Sequence, residues 1–222
     1  MIQSDKFDSL NMNIKKLANS FLIFTLNRLI EIFGIIISVF GLLLFFALIS
    51  YSPHDPNFIF PENLQIHNIL GFHGSYTSDL FFQSIGIVSY LIPITLFLTG
   101  INIYKNKEIF LFVESLFCTV IYSLIGSLFF TFFYGNSFEL YINGNGGFVG
   151  TYLNQNFIEK LIILNNNIAY YLLIFLITIF FLLSINLNPA KFYLLIKNSM
   201  NFLFKRKDKN YTDKSEIISE YI

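Results

Sequence analysis

The feature that most limits what this chain can fold into is the run Ile32–Ile49, "IFGIIISVFGLLLFFALI", which contains no charged residue. A bilayer's hydrocarbon core takes about 20 such residues per helix. A soluble domain spaces its apolar residues at helix or strand period, so an unbroken run of this kind points to a membrane span. Three more runs follow, Leu80–Ile103, Ile109–Tyr134 and Ile168–Leu187. Composition agrees: 55% of the residues are hydrophobic, 13% are charged and mean hydropathy is +0.61. An ordinary soluble domain is roughly 25% charged. The predicted fold class is an all-α integral membrane protein, a four-transmembrane helix bundle. Its spans are about 32–49, 80–103, 109–134 and 168–187.

Local chemistry refines the spans. Leu17–Glu31 is a weaker apolar lead-in carrying Arg28 and Glu31, which stand three apart and can pair on one helix face. The lead-in reads as an interfacial or cytoplasmic start of the first helix. The first span begins too far from the N-terminus for a cleaved signal peptide, and no small-x-small site follows it. Pro93 removes a backbone donor inside the second span and is expected to kink it. Gly34, Gly41 and Gly126 offer close helix contact, although none has GxxxG spacing.

Charge sets the orientation. Lys6, Lys15, Lys16 and Arg28 precede the first span, and Lys105 and Lys107 lie between the second and third. Lys191, Lys197, Lys205, Arg206, Lys207, Lys209 and Lys214 follow the fourth, which leaves only Lys160 of the 14 basic residues elsewhere. Basic residues concentrate on the cytoplasmic side, so the bundle is N-in/C-in. Three regions result: a cytoplasmic N-terminal segment (1–28), the four-span domain (29–190), and a basic tail and start of a linker (191–222). The loops near 51–79 and 135–167 face outward. In the tail, Lys205–Lys209 suits anionic headgroups.

Candidate sites are few. The first outer loop opens with "SYSPHDP", where Pro53 stops the helix, Asp55-Pro56 adds a second stop and Tyr51 sits at the interface. His54, His67 and His73 have no metal-motif spacing and read as loop residues, so no metal ligand is assigned. The second loop holds "NGNGGFVGTYL" without the lysine of a phosphate-binding loop. It reads as a tight outer turn or re-entrant feature. The single cysteine, Cys118, lies within a span, reads as a small packing residue and excludes an intramolecular disulfide. Glu114 is the acidic residue well inside a span. It is either part of a proton or ion path or a hydrogen-bonded carboxyl near the cytoplasmic interface, paired with Lys105 or Lys107. A transporter usually shows several mid-depth polar groups or broken helices in matching halves, and Glu114 stands as the only one here. No catalytic or cofactor-binding constellation is legible.

Three segments, in order, carry a resemblance. The helix exit "LISYSPHDPNF" contains a Ser-x-x-Asp-Pro turn at Ser52, Pro53, His54, Asp55 and Pro56. The approach "NILGFHGSYTSDLFFQSIGIVSYLIP" contains Asn68, Gly71, Gly74, Asp79, Gly86, Tyr90 and Pro93. The segment "GNGGFVGTYL" contains Gly146, Gly147 and Gly150. Together they resemble the N-terminal four-transmembrane (4TM) domain of the FtsK/SpoIIIE family of DNA translocases, across about residues 30 to 190.

The resemblance implies a membrane-anchoring, septum-targeting domain of a cell-division DNA translocase that couples chromosome segregation to division. It implies a multi-pass protein of the bacterial inner (cytoplasmic) membrane at the division septum. The expected partners are the lipid bilayer, divisome proteins and further copies of the chain, a hexamer where a motor is attached. The motor, its Walker motifs and the winged-helix DNA reader are absent from this sequence. No enzyme activity, cofactor or direct DNA binding is therefore expected of it, and ATP and Mg belong to a downstream motor. The chain is either the N-terminal part of a longer protein or an anchor that exists alone. The alternative function is a small four-span transporter or channel using Glu114.

Overall fold

The structure is a computed structural model. It describes residues 2–56, 65–135, 143–155, 166–186 and 197, with side chains from Lys15 onward. All of these except Lys197 belong to one unit, Met1–Asn186. The rest of the second unit, Leu187–Ile222, lies outside the described residues, and with it the predicted tail.

Every regular element among the described residues is helical. They are α1 (Ile2–Ile49), α2 (Gly71–Ile85), a 3₁₀ segment (Gly86–Tyr90), α3 (Leu91–Asn106), α4 (Phe110–Tyr134), α5 (Gly147–Leu153) and α6 (Asn166–Ser184). Among the described residues, four stretches are long and apolar enough to cross a membrane: Lys15–Ile49, Gly71–Asn106, Phe110–Tyr134 and Asn166–Ser184. The lead-in is continuous with the first span, since α1 runs unbroken through Arg28 and Glu31.

Two expectations for the second span are corrected. Its helix begins at Gly71, so Gly71–Asp79, assigned to the outer loop, is helical. Two glycines and the polar run Ser75–Asp79 read locally as loop, but their buried face packs against the end of α1 and overrides that preference. The interruption also precedes Pro93. It falls at Gly86, whose φ is +70°, and Pro93 occupies the first turn of α3, where its missing N–H costs no helical hydrogen bond. The stretch Gly86–Asn106 is about 34 Å long by itself, enough to cross a core of about 30 Å. That leaves α2 free to pack across the outer end of α1.

The spans are held by small and hydroxylated residues. A β-carbon at Gly34 would sit 2.7 Å from the Gly100 carbonyl oxygen, and one at Gly41 would sit 2.7 Å from the Phe97 nitrogen. The Ser38 hydroxyl, between them, donates to the Phe97 carbonyl at 2.9 Å. This is close backbone packing of the kind that joins membrane helices, where lipid removes the hydrophobic drive for association. The apolar core lies toward the outer half, built on Leu44, Leu48, Phe82, Val88, Ile92 and Tyr122. A second cluster, Leu128, Phe129 and Leu173, joins α4 to α6.

The expectation that Glu114 is the only polar group at depth is wrong. A buried hydroxyl seam joins α3, α4 and α6: Thr95 Oγ1 lies 3.0 Å from Tyr122 Oη and 3.2 Å from Ser184 Oγ, and Thr99 Oγ1 lies 2.7 Å from Ser115 Oγ. Glu114 faces outward, away from this seam, and has no ion pair among the described residues. Lys107 instead bridges to Glu31 at 3.1 Å, and Arg28 pairs with the same carboxylate. Glu31 thus ties the cytoplasmic end of α1 to the α3–α4 turn.

Candidate functional site at the outer end of the bundle

Many of the residues singled out in the sequence converge on two hydrogen-bonded clasps at the outer end, whereas Glu114, Pro93 and His73 lie outside them. The first closes the exit of α1. A helix C-terminus leaves its last carbonyls without helical partners. Asn68 Nδ2 donates to the Ala47 carbonyl at 2.8 Å and to the Ser50 carbonyl at 3.3 Å. The Ser50 hydroxyl donates to the Phe46 carbonyl at 2.7 Å and accepts the Ile69 N–H at 3.1 Å. Beyond the helix, Ser52-Pro53-His54-Asp55 forms a turn, with the Asp55 N–H on the Ser52 carbonyl at 3.1 Å.

Asp55 is the hub of this clasp. It is 3% exposed and no lysine or arginine pairs with it among the described residues. Its carboxylate instead accepts the His67 N–H at 2.9 Å and the Asn68 N–H at 2.8 Å, and it faces His67 Nδ1 at 3.0 Å. Hydrogen bonds to the charged form make such burial tolerable. Pro56 is anchored as well, because the Ser75 hydroxyl donates to its carbonyl at 2.6 Å.

The Asn-x-x-Gly-x-x-Gly spacing now has a physical reason. Gly71 has φ +64° with open space around a would-be β-carbon, so its requirement is conformational. Gly74 is helical, and a β-carbon there would fall on the Asn68 amide and 2.6 Å from Leu70 Cβ, so its requirement is steric. Asp79 and Tyr51 then fasten α2 to the chain beyond α1, with Tyr51 Oη on Asp79 Oδ1 at 3.2 Å. Tyr90 Oη reaches the Leu48 carbonyl at 3.4 Å.

The second clasp fills the break in the second span. Where the backbone turns at Gly86, the Ile87 N–H donates to the Asn145 carbonyl at 2.9 Å. The Ser127 hydroxyl of α4 lies 2.8 Å from both the Ile85 and the Gly146 carbonyls. A β-carbon at Gly86 would collide with the Asn145 carbonyl, and one at Gly147 would sit 2.6 Å from the Ser84 carbonyl carbon. One at Gly150 would sit 2.7 Å from the Ser127 carbonyl carbon. The described part of the glycine-rich segment, residues 143–155, therefore packs as a tight turn on Gly86, docked by α5 on the outer turns of α4. Asn145 Nδ2 closes it by donating to the Tyr134 carbonyl.

Sequence reasoning missed Ser50, Ser75, Ser127 and Asn145, all parts of these clasps. One signal was present: Ser115, Thr119, Ser123, Ser127 and Thr131 recur every fourth residue along α4. His73 is exposed on α2, and among the described residues no three His, Cys, Asp or Glu side chains gather closely enough to hold a metal ion.

The chain is thus a polytopic all-α membrane protein in which the described outer-loop segments are pinned to their helices by backbone-directed hydrogen bonds. It belongs to the family described as the 4TM region of DNA translocase FtsK/SpoIIIE, whose model matches residues 27–196. A DNA translocase FtsK of Rickettsia prowazekii is 29% identical over 157 residues, which are 69% of this chain and 20% of that protein. The DNA translocase FtsK of Rickettsia bellii is 34% identical over 74 residues, 33% of this chain and 10% of that protein. An uncharacterized protein of Haemophilus influenzae is 36% identical over 83 residues, 37% of this chain and 74% of that protein. The chain therefore spans about a fifth or less of the two translocases. No solved structure matches it.

Proposed function

We propose that this chain is the membrane-anchoring and septum-targeting domain of a cell-division DNA translocase, held in the bacterial inner membrane. In this reading it couples division to chromosome segregation by fixing the position of a cytoplasmic motor. The chain itself carries no ATPase, needs no cofactor and does not contact DNA. It assembles with further copies of itself and with divisome proteins. The observation that supports this best is the pair of clasps. They use the three segments that resemble the family, and they fix the described ends of the outer loops, residues 50–56, 65–70 and 143–155, where an anchor meets partners across the membrane. The transporter alternative is weakened because Glu114 faces away from the buried polar seam.

The test is localisation in dividing cells. The chain fused to a fluorescent protein should collect at mid-cell, and Asn68→Ala should reduce that signal while the protein remains in the membrane. Uniform membrane fluorescence of the unaltered fusion would overturn septum targeting.

A further inference from the structure

Glu114 presents a problem that no described residue of the bundle solves. By its pairing with Thr99, Ser115 lies about 12 Å inward from the level of the Glu31–Lys107 bridge at 1.5 Å per residue. Glu114 is beside it, some 10 Å deep by the same helical rise, with its side chain turned outward. Carboxylates at such depth face a bundle interior or a counter-charge, because hydrocarbon solvates them poorly.

The surface around Glu114 is patterned for a helix. Phe110, Val113, Phe117, Val120 and Leu124 are all exposed and alternate at spacings of three and four, the seam along which two helices interlock. Glu114 stands at the edge of that seam, where pairing charges sit in coiled helices. The protein also offers a receiving surface. An outward groove of about 190 Å³ runs between α1 and α3 past Gly41, Phe45, Pro93, Ile94 and Phe97. Gly41 and Phe97 both lie about 15 Å from the Glu31–Lys107 level, the same depth as Phe117, which is 67% exposed. At the cytoplasmic end of this groove's helix stands Lys105, exposed and without an ion pair among the described residues.

We infer that the outward face of α4 docks into the α1–α3 groove of a second copy, with Phe117 in the groove and Glu114 paired with Lys105 of that copy. This deepens the self-assembly reading above and rests on it. Helix direction favours the pair. Side chains lean toward their helix N-terminus, so Lys105 on the inward-running α3 leans into the membrane and Glu114 on the outward-running α4 leans toward the cytoplasm. The two charges converge in depth. Because the surfaces differ, the contact is heterologous and repeats from copy to copy.

The experiment uses the full chain in liposomes, in a Cys118→Ser background. One tagged population carries Glu114→Cys and a second carries Lys105→Cys, and a short bis-maleimide is added. A crosslinked band bearing both tags is expected. Energy transfer between labelled copies should show association weakened about tenfold by Glu114→Lys and restored when Lys105→Glu is added, the scale of one interhelical polar contact. Copies that associate without the mixed band, and whose association ignores both charge changes, overturn this interface but leave self-assembly standing. A chain monomeric at every lipid-to-protein ratio overturns both.

Discussion

Asn68 joins Asp55 to the end of α1: its N–H donates to the Asp55 carboxylate at 2.8 Å, while its side-chain amide donates to the Ala47 carbonyl at 2.8 Å. The chain that leaves α1 and the chain that enters α2 are thereby fixed to the same helix end. The described ends of the first outer loop, residues 50–56 and 65–70, are thus bonded to the bundle.

Asn68→Ala should therefore destabilise the protein as a core change does. It leaves the Ala47 and Ser50 carbonyls without their side-chain donor, and each buried unmet group costs about 1–3 kcal/mol. Thermal unfolding in nanodiscs should show a lowered Tm, and Asn68→Asp should recover little because a carboxylate cannot donate. An unchanged Tm for Asn68→Ala would remove the clasp from the stability argument.

The glycines should separate by mechanism. Gly71→Ala meets no neighbour and costs only the left-handed backbone penalty, about 1–2 kcal/mol. Gly86→Ala adds a collision with the Asn145 carbonyl on top of φ +70° and should be the more damaging of the two. Denaturation of the two variants side by side tests the order, and equal losses would contradict the docking of the glycine-rich turn on Gly86.

The hydroxyl seam should show pairwise coupling. Thr99→Val keeps the side-chain volume and deletes the bond to Ser115, whose own change to alanine deletes the other half. A double-mutant cycle on unfolding free energy should return a coupling of about 0.6 kcal/mol, with an upper bound near 1.7 kcal/mol, as for hydrogen bonds between membrane helices. Additivity would mean that the two hydroxyls do not meet.

The orientation can be read chemically. In a Cys118→Ser background, Asn143→Cys should react with a membrane-impermeant maleimide applied to intact cells, whereas Asn106→Cys should react only after the membrane is opened. Reversed labelling would invert the bundle.

Much of this architecture was legible in the sequence. Ile32–Ile49 and Ile109–Tyr134 announced their helices because a hydrocarbon core demands length and apolarity of each span separately, and lysines near the ends report the side they face. Arg28 and Glu31 were legible as a pair because three residues on a helix make neighbours. These are local constraints, and a local reading recovers them.

What only the tertiary structure decided is where chemistry acts across distance. The loop reading of Gly71–Asp79 failed because that helix is stabilised by its contacts with the end of α1 rather than by its own propensities. The break at Gly86 is set by the Asn145 carbonyl and the Ser127 hydroxyl, neither close to it in the chain. Sequence proximity offers Lys105 or Lys107 as a partner for Glu114, yet Lys107 bridges to Glu31 on another span. Hydropathy fixes which segments enter the membrane because each segment meets lipid on its own. Buried donors and acceptors find their partners only after the helices pack, so their pairing belongs to the fold.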